Sequence, residues 1–206
     1  MNLVLPEIEQ QNVCNVYDNI NKDFSITRYK IWPSVENFLN NFNVESKILE
    51  VGCGNGKNMI DRPENFYGCD ICKGFVNICK EKGLNVVQSD ATNLPYEDNF
   101  FDVTISIAVI HHLSTIERRK KAIEEMLRVT KVGGSLLVEV WGLENNNKAS
   151  GPDTMVPWNR SDKIFYRYYH FFEKDEIIDL IKSFSNCEIK KIYWEKFNWL
   201  IEFTKI

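Results

Sequence analysis

No stretch of the 206 residues approaches the roughly 18 consecutive apolar positions of a membrane-spanning helix. The segment from Met1 to Gln11 has neither the basic nor the apolar region of a secretory signal. There is no large excess of one charge. With 25 Lys and Arg against 29 Asp and Glu, the formal net charge is −4, which argues against a dominant nucleic-acid-binding face and leaves room only for local basic groups. The six cysteines lack the pairing of a zinc finger, because Cys69-Asp70-Ile71-Cys72 is a CxxC with no second pair at metal-site spacing. Scattered through apolar strands and a glycine loop, they read as free thiols of a reducing compartment. The expectation is a cytoplasmic or nuclear protein without a metal site or membrane segment. Internal repeats are also absent, and a chain of this length with 44% hydrophobic residues suits one substantial core rather than two.

What is present starts with Lys47-Ile48-Leu49-Glu50-Val51-Gly52-Cys53-Gly54-Asn55-Gly56, an apolar run that meets an acid and then three alternate glycines. This pattern suits a buried strand turning sharply beneath a nucleotide-like ligand, since glycine permits positive φ and close approach to the backbone. Glu50, Asp70 and Asp90 stand twenty residues apart, each at or just beyond a predicted strand end. Strands repeating at that interval imply βαβ units and a parallel sheet. Phe66 to Cys69 and Asn85 to Gln88 read as strands, with a helix over Gly74 to Lys82 between them. Phe101 to Ile110 is the strongest strand, nearly continuous in apolar character, and delivers His111 and His112 to the carboxyl edge where such sheets bind ligands. Asp102, an acid entering that strand, reads as structural; the role of His112 stays open. Ser114-Thr115-Ile116-Glu117 has capping-box spacing for a helix that ends at Gly133-Gly134, and Ser135 to Trp141 follows as a strand.

The segment from 142 to 172, with Asn145-Asn146-Asn147, Gly151-Pro152 and Pro157, reads as a long substrate-side loop or lid. Residues 1–43 read as N-terminal cap helices, with Val35, Phe38, Leu39 and Phe42 forming one face after Pro33. Cys187 to Trp194 and Phe197 to Lys205 close the chain as antiparallel neighbours. The expected fold is therefore α/β and Rossmann-like: a seven-stranded, mostly parallel sheet with one antiparallel strand and helices on both faces.

This order of elements, with Glu50-Val51-Gly52-Cys53-Gly54-Asn55-Gly56 as glycine motif, resembles the class I S-adenosylmethionine-dependent methyltransferases. A narrower resemblance lies in Val16-Tyr17-Asp18, in Thr27 to Pro33, in Ser106-Ile107-Ala108-Val109-Ile110-His111-His112, in Val156-Pro157-Trp158, in Arg167-Tyr168-Tyr169-His170 and in Asn198-Trp199. These are similar to the eukaryotic tRNA methyltransferases that esterify carboxymethyluridine at the wobble position. The 142 to 172 insertion is more compact than is usual there. The resemblance implies a cofactor site of Glu50, Gly52, Gly54, Gly56, Asp70, Asp90 and Ala91, with Asp70 on the ribose hydroxyls and Asp90 at the adenine amino group. A dehydrogenase would share the loop and Asp70 without needing Asp90. It further implies His111 near the transferred methyl, and Arg28, Arg167 or His170 on the acceptor carboxylate. Tyr29, Trp141, Trp158, Tyr168 and Tyr169 are candidate faces for an extruded base. Lys30, Arg118, Arg119, Lys120, Lys121, Arg160 and Lys163 are candidate phosphate contacts. A small zinc-binding activator subunit is the implied partner, docking along the sheet edge at Asn85 to Gln88, with tRNA and not DNA as substrate. A methyltransferase for a small carboxylic acid and a noncatalytic RNA-binding or scaffold subunit are the alternative readings.

Overall fold

Apolar strands that must be covered on both sides are placed in the middle of a parallel sheet. The computed structural model, which describes residues 5–144, 150–160 and 163–206, shows this for β1 (Ile48–Val51), β2 (Phe66–Asp70), β3 (Asn85–Gln88), β4 (Phe101–Ile107) and β5 (Thr130–Trp141). They join β8 (Cys187–Glu195) and β9 (Asn198–Lys205) in one seven-stranded sheet of order β3-β2-β1-β4-β5-β9-β8. Only β9 runs against its neighbours. Strand β3 forms one edge, as expected from the sequence.

Alternate side chains send the core to both faces. Val35, Phe38 and Leu39 of α3 (Pro33–Leu39) and Val76 and Cys79 of α4 (Lys73–Glu81) pack with Ile48, Val103, Ile105 and Leu137. On the opposite face, α5 (Ile116–Val129) and α6 (Lys174–Lys182) pack Ile123, Met126, Ile177 and Ile181 on Leu49, Val51, Leu136 and Val138. The α5 cap is Thr115, whose hydroxyl accepts from the Arg118 amide, and not Ser114. The helix also stops at Val129, earlier than Gly133-Gly134 suggested. The Thr130 hydroxyl bonds Thr104 across the sheet at 2.7 Å and draws the chain into β5 at once.

Two parts of the chain lie over the carboxyl ends of the strands. At the N-terminus, α1 (Glu7–Glu9) runs through a π-helical turn (Gln10–Cys14) into α2 (Asn15–Thr27). Val13, Val16, Tyr17 and Ile20 pack there on Cys72, Phe75 and Tyr168. The second part corrects the reading of 142 to 172 as a loop. Its described residues include an antiparallel hairpin, β6 (Asp153–Arg160) with β7 (Lys163–His170), separate from the main sheet. Thr154 and Val156 are buried and alternate with exposed Met155 and Pro157, a period-two signal that Pro157 and the surrounding polar residues obscured. Asn145-Asn146-Asn147, counted toward that loop, lies outside the described residues.

Candidate active site

The glycine loop follows directly from how β1 ends. Its amides at Gly52 and Cys53 both donate to the Cys69 carbonyl at 2.8 and 2.9 Å, folding the chain back over β2. This needs the left-handed backbone seen at Gly52, where φ is 75°. At Gly56 (φ 74°) a Cβ would stand 2.4 Å from Leu84, so this glycine serves packing behind the loop.

Above the loop is a cavity of about 490 Å³, lined by the ends of β1, β2 and β4, the N-terminal helices and the inner face of the hairpin. It brings together Glu50, Gly52, Gly54, Asp70, Asp90, Ala91, Arg28 and Arg167 from the residues singled out in the sequence. Gly56, His111 and His170 do not line it. Asp70 takes the Gly54 amide on one oxygen (2.9 Å) and the Cys72 amide on the other (2.8 Å), yet burial still pushes its carboxyl up to about 6. Each oxygen keeps a lone pair for a hydroxyl donor. Glu50 accepts from Asn58 Nδ2 at 2.6 Å, while its Oε2 is buried without a partner; burial pushes this carboxyl up to about 8. Lys57 also lines the cavity, its ammonium 4.6 Å above the Trp32 ring, and burial lowers its pKa.

Asp90 is held by the Thr92 amide (2.9 Å) and by Arg118 Nη2 (2.8 Å). The same guanidinium reaches Glu9 through Nε at 2.9 Å, and Glu9 further accepts from the Ser114 amide and hydroxyl. Arg118 thus ties the N-terminal helix to the strand end beside Asp90. It is not a free phosphate contact. Of its neighbours, Arg119 is buried and donates to the Leu113 carbonyl, Lys121 pairs with Glu124 at the surface, and Lys120 is exposed. Replacing Arg118 by methionine leaves the buried carboxylates of Glu9 and Asp90 facing each other without a cation. The expected result is a loss of about 3 kcal/mol in stability, with amide hydrogen exchange accelerated over residues 7–14; unchanged exchange there would refute the latch.

The hairpin end of the cavity is aromatic and carries one unusual cation. Arg167 is 6% exposed, lines the cavity, and pairs with no carboxylate among the described residues. Its Nη1 donates to Tyr169 Oη at 2.9 Å and Tyr17 Oη at 3.4 Å, its Cζ lies 5.1 Å from the centroid of the Trp158 ring, and its Nε is buried without a partner. Arg28, by contrast, is exposed at the cavity mouth beside Phe24 and Trp158. His112 lines the cavity, and both of its ring nitrogens are bonded, to Tyr17 Oη (3.0 Å) and the Tyr168 carbonyl (2.8 Å). Burial holds it neutral, down to about 3.

His111 sits behind this layer, stacked on Tyr169 at 4.9 Å, with Nδ1 accepting from the Trp141 amide. His170 is farther away still, between Asp153 (2.9 Å) and Glu176 (2.7 Å), where it ties the hairpin base to α6. Of the candidate stacking faces, Trp158, Trp141 and the buried Tyr169 line the cavity, Tyr29 is 67% exposed, and Tyr168 is core. Asp102 is structural as expected: it accepts from the Lys47 amide and pairs with Lys131 at 2.6 Å at the opposite end of β4. Glu9, Lys57 and Asn58 were not singled out from the sequence, and no local pattern marks them; their neighbours come from distant segments.

A family model described as "Methyltransferase domain" matches residues 49–138. The tRNA (carboxymethyluridine(34)-5-O)-methyltransferase of Schizosaccharomyces pombe is 36% identical over 95% of this chain and 96% of its own length. The chain belongs to this family. An Arabidopsis thaliana relative of the same name is 51% identical over 69% of this chain, which spans only 35% of that relative's length. This is so for several other relatives it matches, also at 35%. In fold the family member is similar to the methyltransferase in a complex with the Haloferax volcanii Trm112 methyltransferase activator, with a TM-score of 0.69 at 14% identity over 94% of this chain and 98% of that one. The matched domain contains the glycine loop, Asp70 and Asp90. Arg28, Tyr17, Trp158 and Arg167 lie outside it, so this end of the cavity is built from the segments that flank the matched domain.

Proposed function

We propose that the chain transfers a methyl group from S-adenosylmethionine to the carboxylate of 5-carboxymethyluridine at the tRNA wobble position, forming the methyl ester. The observation that carries this reading, beyond family membership, is the buried Arg167 guanidinium at the cavity without an anionic partner. A desolvated cation of this kind calls for an anion, and a carboxylate matches its planar donors.

The cofactor end fits the same reading. Gly52 and Gly54 present backbone to the ligand, Asp70 has lone pairs for a ribose diol, and the orphaned Oε2 of Glu50 suits an α-ammonium group, whose charge would draw that carboxyl back to its ionised form. When bound there, S-adenosylmethionine supplies an electrophilic methyl group. The acceptor, a carboxylic acid with a pKa near ~4, is already ionised at neutral pH, so no general base is needed. His112, the histidine that lines the cavity, has both ring nitrogens engaged. What the chain contributes is alignment: Arg167 holds one carboxylate oxygen and leaves the other to attack, while Trp158, Tyr169 and Trp141 exclude water. His111 and His170 act from behind, one supporting Tyr169 and the other the hairpin.

A small zinc-binding activator is proposed as partner, along the β3 edge. The Haloferax complex supports an activator for a protein of this fold. Charged substitutions at Val86 or Val87 would not test docking cleanly, because Val86 is buried and Val87 packs against the core; exposed Asn85 is the position to charge.

The decisive assay combines the chain, with and without a zinc-binding activator, with labelled S-adenosylmethionine and tRNA bearing the free carboxymethyl group. Base-labile label in that nucleoside is expected, and Arg167→Gln should cut the rate about 100-fold with cofactor affinity unchanged. Label appearing only in small carboxylic acids, or none despite cofactor binding, would overturn the reading.

A further inference from the structure

The hydrogen-bond chain behind Arg167 has only one consistent set of donors. The Tyr168 carbonyl can only accept, so His112 Nδ1 carries the proton of the neutral ring and Nε2 is an acceptor. Tyr17 must therefore spend its single hydroxyl proton on His112 Nε2. With that proton committed, the 3.3 Å contact between Tyr17 Oη and Tyr169 Oη is donated by Tyr169. Both phenol oxygens then turn lone pairs toward Arg167 Nη1, which donates to each. Residues from the N-terminal helix, the end of β4 and the hairpin are thus polarised in one direction, toward a single guanidinium.

We propose that Tyr17 and His112 are positioning residues: by fixing the proton order of this chain they hold Arg167 Nη1 and leave its Nη2 for one oxygen of the acceptor carboxylate. Neither Nε nor Nη2 has a hydrogen-bond partner among the described residues. Were the proton order reversed, a Tyr17 hydroxyl proton would point toward the guanidinium and repel it. The arrangement makes the site selective for an anionic side chain on the wobble base over its neutral amide counterpart. This inference rests on the carboxylate reading above.

The test measures binding of two tRNAs that differ only at the wobble base, one with 5-carboxymethyluridine and one with the uncharged 5-carbamoylmethyluridine, at saturating S-adenosylhomocysteine. The ratio of the two affinities reports charge recognition, and a loss of general folding or RNA binding changes both alike. The wild-type protein is expected to favour the acid about tenfold or more. In Tyr17→Phe and His112→Asn the ratio should fall to within about twofold of unity, with amide binding unchanged. His112→Gln, whose longer side chain can return an acceptor to Tyr17, should recover most of the preference. If Arg167→Gln abolishes the ratio while Tyr17→Phe and His112→Asn keep it, the positioning inference is wrong and the carboxylate reading stands. If Arg167→Gln keeps the ratio, the carboxylate reading itself fails. Should Tyr17→Phe not fold, the Asn and Gln variants decide: equal behaviour of the two overturns the proposal.

Discussion

Gly52→Ala is expected to weaken S-adenosylmethionine binding about 100-fold, more than the same change at Gly54. Two costs combine at this position. The backbone is left-handed, with φ at 75°, which disfavours alanine by about 1–2 kcal/mol. An added Cβ would also stand 2.2 Å from Cγ2 of Val109, so the loop or the end of β4 must move, at about 1–3 kcal/mol. Movement there displaces the two amides that bond Cys69 and shifts the cofactor floor. Gly54→Ala is the internal control. Its φ is 53°, but a Cβ there meets no protein atom within 4 Å, so the packing cost falls away and the loss should be about tenfold. Titration calorimetry on both variants, with thermal melting to confirm folding, separates the two terms. Equal effects would show that the Val109 contact is relieved without consequence.

The second large effect concerns stability and pH. Glu139, on β5, is 1% exposed and does not line the cavity, and its Oε2 has no partner. Burial pushes its carboxyl from 4.5 to about 8, with Lys57 pulling it part of the way back and Glu195 adding repulsion. The native state therefore keeps a proton that the unfolded chain releases above 4.5. Stability tied to this group is full below that value and is lost as pH rises toward about 8. At pH 7 the penalty is on the order of 3 kcal/mol, at about 1.4 kcal/mol per unit. Glu139→Gln removes the ionisation and keeps the shape. The variant should be more stable than the wild type by up to that amount at pH 7, with the gain growing toward pH 8 and vanishing below pH ~4.5. Denaturant melts across this range provide the check. A gain independent of pH would mean that Glu139 is not protonated in the native protein. Glu50, also raised to about 8, follows the same sign without cofactor, and there an ammonium ligand should reverse it.

Much of the fold was legible because its signals are local. Continuous apolar runs marked β1 and β4, glycines marked the turn after β1, and the spacing of Glu50, Asp70 and Asp90 reported the βαβ repeat. The hairpin was not legible. Its alternation is interrupted by Pro157 and by Asn159-Arg160 in a segment rich in turn residues, and its inner face finds partners on distant segments, the N-terminal helices, the His111-His112 turn and the end of β5. Motif resemblance singled out Arg167 and Asp70, and both line the cavity. It equally singled out His111 and His170, whose positions in a motif gave no sign that one lies behind Tyr169 and the other beneath the hairpin. The basic run at 118–121 looked like a solvated or RNA-facing patch. Arg118 instead bridges Glu9 and Asp90, residues far from it in sequence.

The sequence by itself determined the strand order's raw material, the glycine turn and the acids at the strand ends, because these depend on backbone preferences and periodicity within a few residues. Only the tertiary structure decided which polar groups are desolvated together. Tyr17 and Arg167 stand 150 residues apart in the chain, yet their hydrogen bond and their joint burial place a cation without a carboxylate partner among the described residues at the cavity. Burial is a property of the assembled fold: a guanidinium that would be hydrated and unremarkable in the extended chain is desolvated only when α2, β4 and the hairpin close around it.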